Sequence, residues 1–169
     1  MMTLLKFIPP LQLRRLKLAL AAILLAAFGL PASGMAADSA VILQYHRFGE
    51  SDMSPTNVTL EQFEAHLEYL QSGGYTVLPV PHIIAALSAG QPLPDKTVGI
   101  TIDDAVKSVI DEAWPRLRAA GFPFTLFVAT DAVDHHQARI MSWDDIRSLV
   151  NAGVTIANHS STHGHLWRG

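Results

Sequence analysis

No cysteine occurs in this chain, so disulfide bridges, thiolate metal ligands and a cysteine-linked lipid anchor are all excluded. Export is not excluded, because many exported proteins hold together without disulfides. Charge is also scarce: 16% of residues are charged against 49% hydrophobic, a balance that argues against disorder. Positive charge becomes scarcer still once the first 37 residues are set aside. They hold four basic side chains (Lys6, Arg14, Arg15, Lys17) and no acids, out of 12 and 15 in the whole chain. Residues 38–169 keep 8 basic and 15 acidic residues, a formal net charge of −7, with no Lys/Arg cluster. That composition argues against a nucleic-acid partner. The acids are spread along the chain as on an ordinary solvated surface. Internal repeats and low-complexity tracts are absent as well.

The uncharged run from Leu18 to Ala37 begins with an apolar stretch, Leu18 to Leu30, and ends in the small residues Pro31-Ala-Ser-Gly-Met-Ala-Ala37. A basic flank, a short apolar core and a small-residue exit are the parts of a secretory signal peptide, with cleavage after Ala36 or Ala37. The alternative is an uncleaved membrane anchor, since the run approaches the roughly 20 residues a spanning helix needs. Pro31, Ser33 and Gly34 break its second half and favour cleavage. The expected organisation is therefore a signal peptide over 1–37 and one domain over 38–169. The expected location is periplasmic or extracellular, with membrane contact only through the signal during export.

From Asp38 onward the chain alternates between strand-like and helix-like periodicity. Val41-Ile-Leu-Gln-Tyr45 reads as a strand ending at His46. Thr59 to Leu70 reads as a helix, opened by a Thr59/Gln62 capping box, with Leu60, Phe63, Leu67 and Leu70 at helical spacing and Gly73-Gly74 as the stop. Tyr75–Leu78 is a second strand, followed by a short helix near His82 to Ser88. Val98–Ile102 is a third strand, and Ser108–Ala120 a helix that Pro115 should kink or break. Phe124–Ala129 is a fourth strand, Ser142–Asn151 a helix with a Ser142/Asp145 capping box, and Val154–Ala157 a fifth strand. Strand and helix in alternation imply a parallel sheet covered by helices. An open doubly wound sheet and a β/α barrel both fit, and in either the chemistry lies beyond the carboxyl ends of the strands.

Three of those ends carry reactive side chains: His46, Asp103-Asp104, and His159-Ser-Ser-Thr-His163. Two histidines at i and i+4 can face one metal ion. A carboxylate from a neighbouring strand completes a three-ligand set with a position open to water, and the second acid is left to serve as a base. Adjacent acids more often cap helices, and H-x-x-x-H is common by chance. The weight lies in their falling at one end of one sheet.

Ile100-Thr-Ile-Asp-Asp104, followed by Lys107-Ser-Val, resembles the T-F-D-D-G motif of the polysaccharide deacetylases, carbohydrate esterase family 4. Ile156-Ala-Asn-His-Ser-Ser-Thr-His163 is similar to that family's H-[ST]-x-x-H motif, with Leu166 following. Ala119-Ala-Gly-Phe-Pro-Phe-Thr-Leu-Phe-Val128 resembles its G-x-P-A-T-x-F-V strand. Gln44-Tyr-His-Arg47 resembles the Tyr-His segment of the poly-N-acetylglucosamine deacetylase branch. The resemblance covers about Val41 to Trp167 and implies an incomplete (β/α) barrel with about five strands present. It further implies Asp103 as general base, Asp104, His159 and His163 as metal ligands, and His46 as general acid, the last weighed evenly against a histidine that only hydrogen-bonds at a strand end.

The cofactor implied is a divalent metal, zinc first, with cobalt or nickel also suited to His and Asp ligands. The implied partner is an acetylated polysaccharide, from which N-acetyl or O-acetyl groups are hydrolysed. Two departures stand out. Ile102 replaces a phenylalanine, and Ala105 a glycine, which points to a slightly different turn. The resemblance also places later motifs beyond Gly169, so a catalytic domain truncated at its C-terminus is expected. Other prominent residues read as structural: His135-His136 as an exposed loop, Asp144-Asp145 as helix-capping acids, and Trp114, Trp143 and Tyr69 as packing residues. His66, His82 and His165 have no partner that the sequence identifies. Two other functions stay open: a metal- or glycan-binding fragment without catalysis, and a metallohydrolase acting on a small amide.

Overall fold

The computed structural model describes residues 38–51 and 55–164. The segment 1–37, expected from the sequence to be a signal peptide, together with His165, Leu166 and Trp167, lies outside the described residues. Among the described residues seven strands occur in order: β1 (Val41–Tyr45), β2 (Arg47–Phe48), β3 (Asn57–Val58), β4 (Thr76–Val77), β5 (Thr97–Ile102), β6 (Thr125–Val128) and β7 (Thr155–Asn158). Between them run α1 (Leu60–Ser72), α2 (Val80–Ser88), α3 (Trp114–Ala120), α4 (Thr130–Asp134) and α5 (Trp143–Asn151). β1, β5, β6 and β7 pair side by side in that order, β4 also pairs with β5, and every pairing is parallel. This is the α/β arrangement of a partial (β/α) barrel, with five strands in its main sheet.

β5 is the centre of that sheet. All six of its residues are buried, as expected for a parallel strand covered on both faces. Gly99 sits under closely packed neighbours: a Cβ there would come 2.6 Å from Ile42 Cδ1, 3.0 Å from Val80 Cγ2 and 3.1 Å from Ile83 Cδ1, so those side chains would have to shift. The glycine lets β1 and α2 close over the strand. Helix α1 buries Phe63, Leu67 and Leu70, one face at helical spacing, and its capping box is formed: Thr59 accepts from the Gln62 N–H while Gln62 accepts from the Thr59 N–H. Arg116 ties α3 to α1 through Glu64 at 2.9 Å. α5 has the second expected box, with Ser142 and Asp145 exchanging hydrogen bonds.

Several local features refine or differ from the sequence reading. The break expected at Pro115 is present, as a change of helix type. Residues Val109–Ala113 form a π-helical turn, with the Trp114 N–H reaching back to the Val109 carbonyl, and α3 starts afresh with Pro115 in its first turn. A proline has no N–H to give, so its best place is where the first turn leaves donors unused. Helix α4 and the β2–β3 pair were not anticipated. Tyr69 is not a packing residue: it is 63% exposed and leans on Tyr75, ring centroids 5.5 Å apart. His66 has a partner after all, its Nδ1 sharing a hydrogen bond of 3.0 Å with the Tyr45 hydroxyl. Burial pushes the Tyr45 phenol up, so that hydroxyl keeps its proton. No helix among the described residues is long and apolar enough to cross a membrane.

Candidate metal centre

Because β1, β5 and β7 run parallel, their carboxyl ends open at the same side of the sheet. Each delivers its reactive residues there. His46 follows β1, Asp103 and Asp104 follow β5, and His159 follows β7. The backbone turns sharply at these ends. Asp104 and Ala105 both take left-handed conformations (φ +71° and +50°), as do Ser160 and His163 (φ +64° and +54°). The alanine at 105 therefore keeps the left-handed turn that a glycine would take without strain. Each such residue without glycine's freedom costs about 1–3 kcal/mol, so the turns must be held from outside.

The holding contacts are specific. Asp103 N–H donates to the Tyr45 carbonyl at 3.0 Å, and Met141 N–H to the Ala105 carbonyl at 2.9 Å. His163 N–H donates to Ser160 Oγ at 3.1 Å, and Ser160 N–H to Asn158 Oδ1 at 2.6 Å. The Asp131 N–H donates to the Ser161 carbonyl at 3.0 Å, while its carboxylate accepts from the Ser161 hydroxyl.

Asp104, His159 and His163 bring one ligand atom each within 4.8 Å of one another. Asp104 Oδ1 stands 3.4 Å from His159 Nε2 and 3.2 Å from His163 Nε2. Ligands about 2.0–2.1 Å from a shared tetrahedral ion lie about 3.3 Å apart, so the two carboxylate–imidazole spacings are those of atoms facing one cation. Asp104 Oδ1 is buried and makes no hydrogen bond. A buried carboxylate oxygen without a partner is costly, and a cation at the convergence point would satisfy it. Two imidazole nitrogens and a carboxylate are a donor set that borderline divalent metals accept. The residues present thus fit a metal ion.

Asp103 lies beside this set and outside it. Its side chain is 7% exposed, and its Oδ2 stands 3.6 Å from His46 Nε2 and 3.9 Å from His159 Nε2. Gln44 Nε2 donates to the same oxygen. All five residues singled out in the sequence are therefore gathered at one strand-end cluster, in which Asp103 bridges His46 and the three-residue set.

Sequence reasoning overlooked the supporting residues. Gln44 could have been found from register, since it pairs with Thr101 two residues before Asp103. Glu50 was passed over although its carboxylate gathers Arg47 (2.8 Å), Ser108 (2.9 Å) and Arg139 (3.4 Å), and no spacing rule announces such a hub. Lys107 pairs with Asp145 at 2.8 Å, tying the turn after Asp104 to the start of α5. Asp145 is therefore more than a helix cap. That hydrogen bond holds the Asp145 carboxyl below its ordinary value and the Lys107 ammonium above its own. His135 is exposed as expected, and lies at the end of α4 with its ring on the Asp131 carbonyl at 2.8 Å.

Residues 90–168 match the family model described as polysaccharide deacetylase. Among curated proteins, YxkH of Bacillus subtilis, provisionally named a polysaccharide deacetylase, is 26% identical over 122 residues, covering 72% of this chain and 42% of that protein. The poly-beta-1,6-N-acetyl-D-glucosamine N-deacetylase of Staphylococcus epidermidis is 22% identical over 134 residues, covering 69% of this chain and 46% of that one. Among solved structures, IcaB from Ammonifex degensii aligns with a TM-score of 0.65 at 28% identity, over 75% of this chain and 55% of that chain. The chain spans less than half the length of the curated relatives it matches.

Proposed function

We propose that this chain, whose residues 90–168 match the polysaccharide deacetylase family model, is the part of an exported hydrolase that removes acetyl groups from a sugar polymer with the help of a divalent metal. The observation that carries the reading is the convergence of Asp104, His159 and His163 on one point with Asp103 immediately beside them. Asp104 Oδ1, His159 Nε2 and His163 Nε2 would hold the ion, zinc first, with cobalt or nickel as alternatives. Bound there, a divalent cation supplies Lewis acidity to an acetyl carbonyl and to the attacking water.

The remaining steps fall to the chain's own side chains. An acetamide is a poor electrophile, and its nitrogen leaves only when protonated. Asp103, held beside the ligand set, takes the proton from the attacking water as general base. His46, 3.6 Å from the same carboxylate, returns a proton to the departing amine. Export through the segment 1–37 is part of this proposal, since an acetylated polysaccharide outside the cytoplasm is the substrate. The relative named for poly-beta-1,6-N-acetyl-D-glucosamine makes oligomers of that sugar the first substrate to assay.

The test is acetate release from such oligomers by the zinc-loaded chain, with and without a chelator. Release that stops on chelation and resumes with zinc is the expected result. Zinc binding without release from any acetylated oligomer would leave a binding module. Turnover of small amides alone would point to a different metallohydrolase.

A further inference from the structure

We propose that Gln44 is a positioning residue for the Asp103 carboxylate, fixing which way the general base faces. The proposal rests on the base role given to Asp103 above. Gln44 pairs with Thr101 across the β1–β5 ladder. Side chains two apart on a strand share a face, so Asp103 is the diagonal neighbour of Gln44, a separation that long side chains span. The Gln44 amide spans it and donates from Nε2 to Asp103 Oδ2. A carboxylate only accepts, so the amide must present its nitrogen.

The same oxygen faces His46 and His159. A carboxylate free to rotate about its last bond would present either oxygen to that space, or neither. Asp103 is already fixed at its backbone by the bond from its N–H to the Tyr45 carbonyl, and the Gln44 amide fixes the remaining rotation. Both restraints come from neighbouring residues of β1, which ties the direction of the base to the strand that also carries His46. Thr101 and Asp103 are buried, whereas Gln44 itself is exposed. It does not serve the core, and its replacement leaves the packing of β5 untouched.

Two substitutions separate donor from reach: Gln44→Met keeps length and loses the donor, and Gln44→Asn keeps the donor one methylene too short. Each is expected to lower kcat for acetate release by about 10-fold or more, the scale of a displaced catalytic group. KM and zinc affinity should stay within about twofold of wild type, by the same reasoning that the displaced group binds neither polymer nor metal. A readout free of turnover comes from NMR of the 15N-labelled chain. One Gln44 side-chain amide proton should stand downfield and exchange slowly, and Asp103→Ala should return it to the range of exposed glutamines. Unchanged kcat in Gln44→Met, a loss of zinc, or ordinary glutamine signals in the wild type would overturn the proposal. A zinc-loaded wild-type chain that releases no acetate would count against the function proposed above, and the NMR comparison would still decide the role of Gln44.

Discussion

His46 Nε2 stands 3.6 Å from Asp103 Oδ2, with 25% of its side chain exposed. It is near enough to share a reaction with Asp103, and it is not part of the three-residue ligand set. Imidazole is the side chain that can hold a proton at neutral pH and release it on demand. If His46 protonates the leaving amine, His46→Ala should keep zinc affinity and cut acetamide turnover by about 10²–10⁴-fold. An acetate ester of an activated phenol, whose leaving group needs no proton, should be hydrolysed nearly as before. Comparable losses on both substrates, or loss of zinc, would contradict the acid role. At this scale the sequence exposed the charged and imidazole side chains, because each followed a strand-like run and strand ends are where such folds do chemistry. It hid their partners. The amide of Gln44 belongs to an ordinary strand until the register of β1 on β5 sets it against Asp103, and the phenol of Tyr45 until the helix α1 sets His66 against it.

The short elements do the work of holding strained turns. Helix α4 has five residues and no side-chain cap, yet its first turn grips the loop between the two histidines through Asp131. Partners that orient a metal ligand typically matter about 10- to 100-fold to affinity. Asp131→Ala is accordingly expected to weaken zinc binding by about 10-fold, with Asp131→Asn, which still accepts from Ser161, near wild type. Equilibrium competition with a zinc chelator reads this directly, and an Asp131→Ala chain with unchanged affinity would show that the loop holds itself. The Lys107–Asp145 pair does the same for the turn after Asp104, and its effect depends on pH. The Asp145 carboxyl lies below its ordinary value, so its stabilisation is complete above about pH 5 and is lost as pH falls through the lowered value. The raised Lys107 contributes below its ordinary value of 10.5 and ceases to do so in strong alkali. Lys107 is 42% exposed, so the pair contributes only about 0.5–1 kcal/mol. Thermal unfolding of Asp145→Asn should show that deficit at pH 7 and a narrowing gap towards pH 3; a gap that widens in acid would reverse the assignment. The two capping boxes were legible because they are local codes of four residues. α4, the β2–β3 pair and the π-helical turn were not, since each is shorter than the window over which periodicity can be counted.

For the molecule as a whole, alternation of strand and helix was enough to give a parallel sheet, because five strand-like runs alternate with four helical ones. Register and edges were not legible, since they depend on which strands meet. Among the described residues β1 pairs with β5 alone, and its start is open: Val41 is 59% and Ile42 44% exposed. Val41 and Leu43 also line an apolar cavity of about 370 Å³ between β1 and α1, with Tyr45, Tyr69 and Tyr75. An apolar strand edge is a template for pairing, and a lysine on it is a common guard. Residues 38–169 are therefore expected to self-associate in a concentration-dependent way, with Val41→Lys shifting sedimentation towards the monomer. A wild-type fragment that stays monomeric at high concentration would show that the edge is already guarded. The central claim, however, is that the ends of two parallel strands, β5 and β7, build one metal site. Equilibrium zinc titration of the wild type, His163→Ala and Asp103→Asn tests it most directly. One equivalent bound tightly by the wild type and by Asp103→Asn, with His163→Ala losing it, is the result expected from Asp104, His159 and His163 as the ligands. No binding by the wild type, or loss of zinc in Asp103→Asn with retention in His163→Ala, would contradict it.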